Sequence, residues 1–165
     1  MLPPISITLP KLPVMKIFFL FATVFLFSTH TARAQNDSTD VVKAIQNLFD
    51  AMHSGDSAAL VQCFTSNAYL QTISVKSPGN PLVRTEDISK FGQFVQQAVP
   101  GSVREEFRVQ YVHEEGVLAH VWAPYQFFYN GVFSHCGVNA FMLVQTASGW
   151  KIQYLTDTRV KEGCR

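Results

Sequence analysis

The chain has 165 residues, of which 47% are hydrophobic, with thirteen Lys and Arg against twelve Asp and Glu. So even a balance excludes the basic excess that a binder of nucleic acid or anionic membrane would show. The length is that of a single domain, once the apolar start of the chain is set aside.

That start reads as an export signal. Lys16 opens a run, Ile17 to Phe27, that is apolar apart from Thr23, and "TARAQ" follows with Ala32 and Ala34 at the small-residue positions of a cleavage site. The run is too short to span a bilayer, which takes about 20 apolar residues. Met15-Lys16 is a natural start, so residues 1–14 read as an upstream extension. Residues 1–34 are therefore expected to be a signal peptide and 35–165 a domain, secreted or periplasmic, without a stable membrane anchor. Losing Lys11, Lys16 and Arg33 leaves ten basic against twelve acidic residues.

From Asp40 the positions Val41, Ile45, Leu48, Phe49 and Met52 follow helical spacing, and Gly55 can close the helix. Asp56 caps a second, short helix, "SAALVQCF", and "AYLQTISV" reads as a strand. A third helix starts near Thr85, with Glu86 and Asp87 at its positive end and Ile88, Phe91, Val95 and Ala98 as its buried stripe. Pro100-Gly101 ends it. Four hairpin-linked strands are then predicted: "EFRVQYVH", "VLAHVWAPYQFFY", "FSHCGVNAFMLVQT" and "WKIQYLTDTRV", joined at Glu114–Gly116, Asn130-Gly131 and Ala147–Gly149. Asn130-Gly131 is the strongest of these turn signals. Helices first and a meandering sheet last make an α+β pattern.

Turn lengths predict register. Asn130-Gly131 pairs Tyr129 with Val132, hence Tyr125 with Cys136 and Val121 with Ala140. Loops of three residues place Phe107, Val109 and Tyr111 beside Ala123, Val121 and Ala119, and Ile152, Tyr154 and Thr156 beside Val144, Met142 and Ala140. Cys136 then points inward and its neighbour His135 outward, so "SHC" holds no catalytic pair. His120 and His135 fall roughly 20 Å apart along the sheet, too far to share a metal ion. The chain has no G-x-S-x-G, phosphate loop or C-x-x-C, and no cofactor is implied.

The opening "VVKAIQNLFDAMHSGDSAALVQCFTSNAYLQ" resembles the start of nuclear transport factor 2-like proteins, the SnoaL-like and ketosteroid-isomerase-like superfamily. More narrowly, "VWAPYQFFYNGVFSHCGVNAFMLV", "GWKIQYLTDTR" and the last cysteine are similar to the small secreted members labelled lumazine-binding. The resemblance implies a cystatin-like curved antiparallel sheet wrapped as a cone around the N-terminal helices, often dimeric, with a pocket between. It also implies a Cys136–Cys164 disulfide, for which the tail after Val160 must fold back.

Enzymatic members of this fold use a carboxylate or a His-Asp pair in the pocket. On the predicted register the inward positions of the last four strands carry no Asp, Glu or His, with Glu105 and the acids of the third helix left at the rim. Small Ala119, Ala123 and Ala140 and the tips of Tyr111, Tyr125, Tyr154 and Thr156 offer room and hydrogen bonds for a small apolar or aromatic ligand. The expected function is thus a non-catalytic small-molecule-binding module. A Tyr/Thr-based isomerase or dehydratase and a dimeric interaction protein are the alternatives. The same register puts Trp122, Phe141, Leu143 and Leu155 on the outer face, through which a homodimer is expected.

Overall fold

The computed structural model describes residues 34–77 and 79–164; the expected export signal, but for its last residue Ala34, lies outside them. Within the described residues, three helices and seven strands follow in the order α1 (Ala34–Ser54), α2 (Ser57–Gln62), β1 (Phe64–Ser77), β2 (Asn80–Glu86), α3 (Ile88–Gln97), β3 (Val103–Phe107), β4 (Tyr111–Glu115), β5 (Leu118–Tyr129), β6 (Val132–Thr146) and β7 (Gly149–Arg159).

Helix α1 buries the stripe its spacing predicts: Val41, Ile45, Leu48, Phe49 and Met52 are all inside. Gly55 closes it with φ 79°, a conformation that costs glycine little. Asp56 and Asp87 cap α2 and α3, accepting from the amides of Ala59 at 2.9 Å and of Ser89 and Lys90 at 2.8 and 3.1 Å. Where α2 and α3 cross, Gly92 lets them approach: a β-carbon there would stand 2.9 Å from Ser57 Oγ.

The strands form one curved sheet in the order β2-β1-β7-β6-β5-β3, with β4 also paired to β5. It is antiparallel except between β1 and β7, which run parallel. Strand β2, in the segment before the third helix, was not expected. It returns on β1 as a hairpin and supplies the sheet's far edge. "EFRVQYVH" is two strands rather than one, broken at 108–110, where the amides of Arg108 and Gln110 still reach the carbonyls of Pro124 and Trp122.

Asn130 (φ 53°) and Gly131 (φ 76°) form the expected tight turn, and Tyr129 pairs with Val132. The predicted register fails two residues later. Ser134 is an extra residue in β6, so Phe128 faces Phe133 but Phe127 faces His135 and Gln126, not Tyr125, faces Cys136. A bulge of one residue turns every following side chain to the opposite face. Phe141 and Leu143 thus point inward, fully buried against α1, with Phe141 edge-on to Phe49 at 6.3 Å. A second bulge, at Gln153, turns β7, so Ile152, Leu155 and Asp157 are buried. The pairs Met142–Tyr154 and Ala140–Thr156 do form as predicted, but on the outer face.

Candidate functional site

Between α1, α3 and the inner face of the sheet lies a cavity of about 750 Å³. Its floor is apolar: Leu48, Phe49 and Met52 from α1, Leu70 from β1 and Leu155 from β7, with Phe91 and Phe94 of α3 and Phe127 of β5 as walls. The side toward β3, β6 and β7 is polar, lined by Glu105, Tyr125, Asn139 and Asp157. Arg159, His135, Glu86, Asp87 and Lys90 also line the cavity.

The polar wall is a product of the two bulges. Asn139 and Asp157 sit opposite each other on β6 and β7, both buried on the inner face. Asp157 accepts from Thr72 Oγ1 at 2.7 Å and from Arg159 Nε at 2.7 Å. The Tyr125 hydroxyl stands 3.1 Å from Asp157 Oδ2 and 3.0 Å from the Thr158 carbonyl oxygen, so its one proton serves two acceptors. Burial and then the charge of Asp157 push its ionisation far up, so Tyr125 stays a neutral donor.

Glu105 is the other carboxyl of the wall. Its Oε1 accepts from Asn139 Nδ2 at 2.6 Å. Desolvation, reinforced by the charge of Asp157, raises its pKa to about 8, so it carries its proton at neutral pH. His135 stacks on Phe127 with ring centres 4.8 Å apart, and Ser134 Oγ lies 3.0 Å from its Nδ1. Burial, then Arg159, lower the pKa of His135, which leaves a neutral imidazole.

Of the residues named from sequence, the structure brings Tyr125 into the cavity and leaves the other three out. Tyr111 pairs with Trp122 on the outer face and is 52% exposed, because the β4–β5 turn is one residue tighter than predicted. Tyr154 is outside as well and bonds to Gln71. Thr156 lies between Ala140 and Gln71, with its buried Oγ1 unpartnered among the described residues. The β5–β6 bulge moves all of that side of β7 outward.

The expectation that no Asp, Glu or His of the last four strands faces the pocket, with Glu105 left at its rim, is likewise corrected: His135 and Asp157 do, with Asn139, and Glu105 lines the cavity too. Phe141, Leu143 and Leu155, expected outside, are core. Cys136 faces outward rather than inward, under the returning tail, where it is bonded to Cys164 with Cα atoms 5.8 Å apart. Cys136 and Val160 exchange backbone hydrogen bonds of 2.9 Å. Cys63 is a free thiol whose burial raises its pKa. Among the described residues no group of three or more His, Cys, Asp or Glu is placed to hold a metal ion.

The chain matches no protein-family model and no curated protein sequence. Its fold is that of known structures. It is similar to a cystatin-like domain of unknown function from Nostoc punctiforme (20% identity, 78% of this chain and 80% of that one, TM-score 0.60). It is similar to a nuclear transport factor 2-like protein of unknown function from Shewanella baltica (11%, 80% and 100%, TM-score 0.61). A ketosteroid isomerase-like protein from Erwinia carotovora atroseptica shares it too (15%, 75% and 96%, TM-score 0.54). At such identities the likeness establishes the nuclear transport factor 2-like, cystatin-like fold and nothing about chemistry; the lumazine-binding resemblance rests on sequence motifs alone.

Proposed function

We propose that this chain is an exported small-molecule-binding module whose ligand occupies the cavity between α1, α3 and the sheet. The observation that carries the reading is the cavity's make-up: an apolar, aromatic floor with a polar wall on the sheet and charged groups at the start of α3. Most of that wall is already spoken for. Asp157 is held by Thr72, Tyr125 and Arg159, an arrangement suited to fixing a shape rather than turning over a substrate. Export is supported by the leader pattern before Gln35 and by the Cys136–Cys164 bond, a link that persists in oxidising compartments.

The test is saturable binding of Nile red, a neutral apolar dye, with Ser134→Trp as a plug at the cavity wall. One site per chain in the wild type, lost in the plugged variant, is the expected result. Equal binding by both proteins places the dye elsewhere and overturns the reading.

Acid–base catalysis is the second reading, favoured by Glu105. This carboxyl lines the cavity and titrates near neutrality, as a general acid or base must. It takes the place of the Tyr/Thr chemistry that the sequence offered as an alternative. Deuterium wash-in at the acidic carbon of 2-tetralone, absent in Glu105→Gln, would establish it. Exchange at the same rate in both proteins would dismiss it.

The homodimer belongs to the same proposal, through a corrected outer face. Tyr111, Trp122, Ala140, Thr156 and Gln71 form one row across five strands, and His120, Met142, Tyr154 and Tyr69 the next. Tyr111, Trp122, Met142 and Tyr69 are all exposed on these rows, Trp122 at 42%, as suits a face covered by a second copy.

A further inference from the structure

We infer that the ligand of this cavity is an organic cation, a protonated amine carried on an aromatic or aliphatic body. The inference rests on the small-molecule reading above and adds the ligand's charge and the group that receives it.

The two carboxyls of the polar wall are treated differently by the protein. Asp157 has its own counter-ion: Arg159 Nε at 2.7 Å and Nη2 at 3.5 Å, with Thr72 and Tyr125 as further donors. Glu105 has none. Its one hydrogen bond comes from a neutral amide, Asn139, onto Oε1. No donor among the described residues reaches Oε2, on a side chain that lines the cavity. A half-buried carboxylate with no cation in contact is disfavoured, so Glu105 keeps its proton until a cation arrives.

The surroundings fit a cation better than any other ligand. Phe49, Phe91, Phe94, Phe127 and Tyr129 line the same space, and aromatic rings attract positive charge over their faces. The charged groups facing Glu105 across the cavity are Asp157 and Arg159 on β7, which offset each other, and Glu86, Asp87 and Lys90 toward α3. Neutral His135 on β6 adds no charge. Acids outnumber bases once Glu105 ionises, so an anion would meet net repulsion. A neutral ligand would leave Glu105 as it stands.

Binding then carries a proton signature. The ammonium of the ligand meets protonated Glu105, an ion pair forms, and the carboxyl proton leaves to solvent while the amine keeps its own. Because Glu105 titrates at about 8, binding near neutral pH releases close to one proton per ligand and tightens as pH rises toward that value.

Three probes with one body decide the matter: 2-(1-naphthyl)ethylamine, 2-(1-naphthyl)ethanol and 1-naphthylacetate. They are titrated by calorimetry at about pH 7 in two buffers of different ionisation enthalpy, with the heat difference counting protons. The amine should bind about ten-fold tighter than the alcohol, the acetate weakest, with about one proton released on amine binding. Glu105→Gln, nearly isosteric, should abolish both the preference and the proton release. If that variant fails to fold, the wild-type proton count decides by itself, and zero overturns the inference. Equal binding of amine and alcohol, or an amine preference that survives in Glu105→Gln, overturns the cation and leaves the small-molecule reading standing. Failure of all three probes, joined to loss of Nile red binding, removes both.

Discussion

Gly137 is the residue on which the polar wall depends, and Gly137→Ala tests that dependence. A β-carbon at 137 would lie 1.7 Å from the Thr158 carbonyl oxygen, 2.7 Å from its carbon and 3.0 Å from its Oγ1. The obstacle is backbone, which cannot rotate aside as a side-chain tip can. An ordinary carbon–oxygen contact is roughly 3.3 Å, so β6 and β7 must part by about 1.5 Å. That displacement removes the Tyr125 bond to Thr158 O at 3.0 Å and the Val138 amide's bond to Thr158 Oγ1 at 3.0 Å. Each bond contributes about 1 kcal/mol net, and overpacking adds about 1–3 kcal/mol. Gly137→Ala should therefore lose about 3–5 kcal/mol in urea unfolding, and Nile red binding should weaken as Tyr125 and Asp157 shift. Gly92→Ala is the contrast. Its nearest obstacles are the side-chain ends of Ser57 at 2.9 Å and Val61 at 3.1 Å, and alanine regains about 1 kcal/mol of helix propensity, so stability should change by less than about 1 kcal/mol. A Gly137→Ala protein as stable as the wild type would refute the close strand crossing.

Trp122→Glu should give a monomer in analytical ultracentrifugation where the wild type sediments as a dimer, and a wild type that is monomeric at high concentration dismisses the outer-face interface. Glu105 titrates at about 8 in the folded chain against an ordinary 4.5, so between those values the folded state binds more protons than the unfolded one. Stability must then fall as pH rises from about 4.5 to about 8, and Glu105→Gln should flatten that slope in urea titrations; an unchanged slope locates the titrating group elsewhere. Cys136 and Cys164 lie 28 residues apart, and breaking the bond with Cys164→Ser should cost about 3–4 kcal/mol by loop-closure entropy, whereas no loss would mean the tail is not tied in solution. N-terminal sequencing of the exported product should begin at Gln35, and a product retaining "MKIFF" rejects the leader.

Local signals carried the element order. The cap at Asp56, the helical stripe of α1 and the Asn130-Gly131 turn all depend on neighbours in sequence, and all appear where their chemistry puts them, whereas α3, expected to start near Thr85, is capped by Asp87 and starts at Ile88. Strand β2 escaped because "NPLVRTE" has no period of its own and is exposed at nearly every position. The site escaped for a different reason. A turn fixes register only up to the first bulge, and the extra Ser134 comes two residues after the turn's first pair.

Side-chain volume held the missing information. The predicted register put Ala140 inside and Phe141, Leu143 and Leu155 outside, so the larger apolar surface would have faced water. Hydrophobic burial opposes that arrangement by roughly 1.5–3 kcal/mol for each large side chain exposed. Shifting β6 by one residue brings all three into the core, and on β7 the spacing Trp150, Ile152, Leu155 marks the second bulge, since two buried residues three apart cannot share the face of a regular strand. The same shift carries Asn139 and Asp157 inward with them, because each is two residues from a large apolar neighbour, Phe141 and Leu155. The polar wall is thus a consequence of packing the core correctly. Had the bulges been absent, Tyr154 and Thr156 would have lined the cavity and Asp157 would have faced outward. The difference between an inert tyrosine-lined pocket and one holding an uncompensated carboxyl comes down to two extra residues, Ser134 and Gln153.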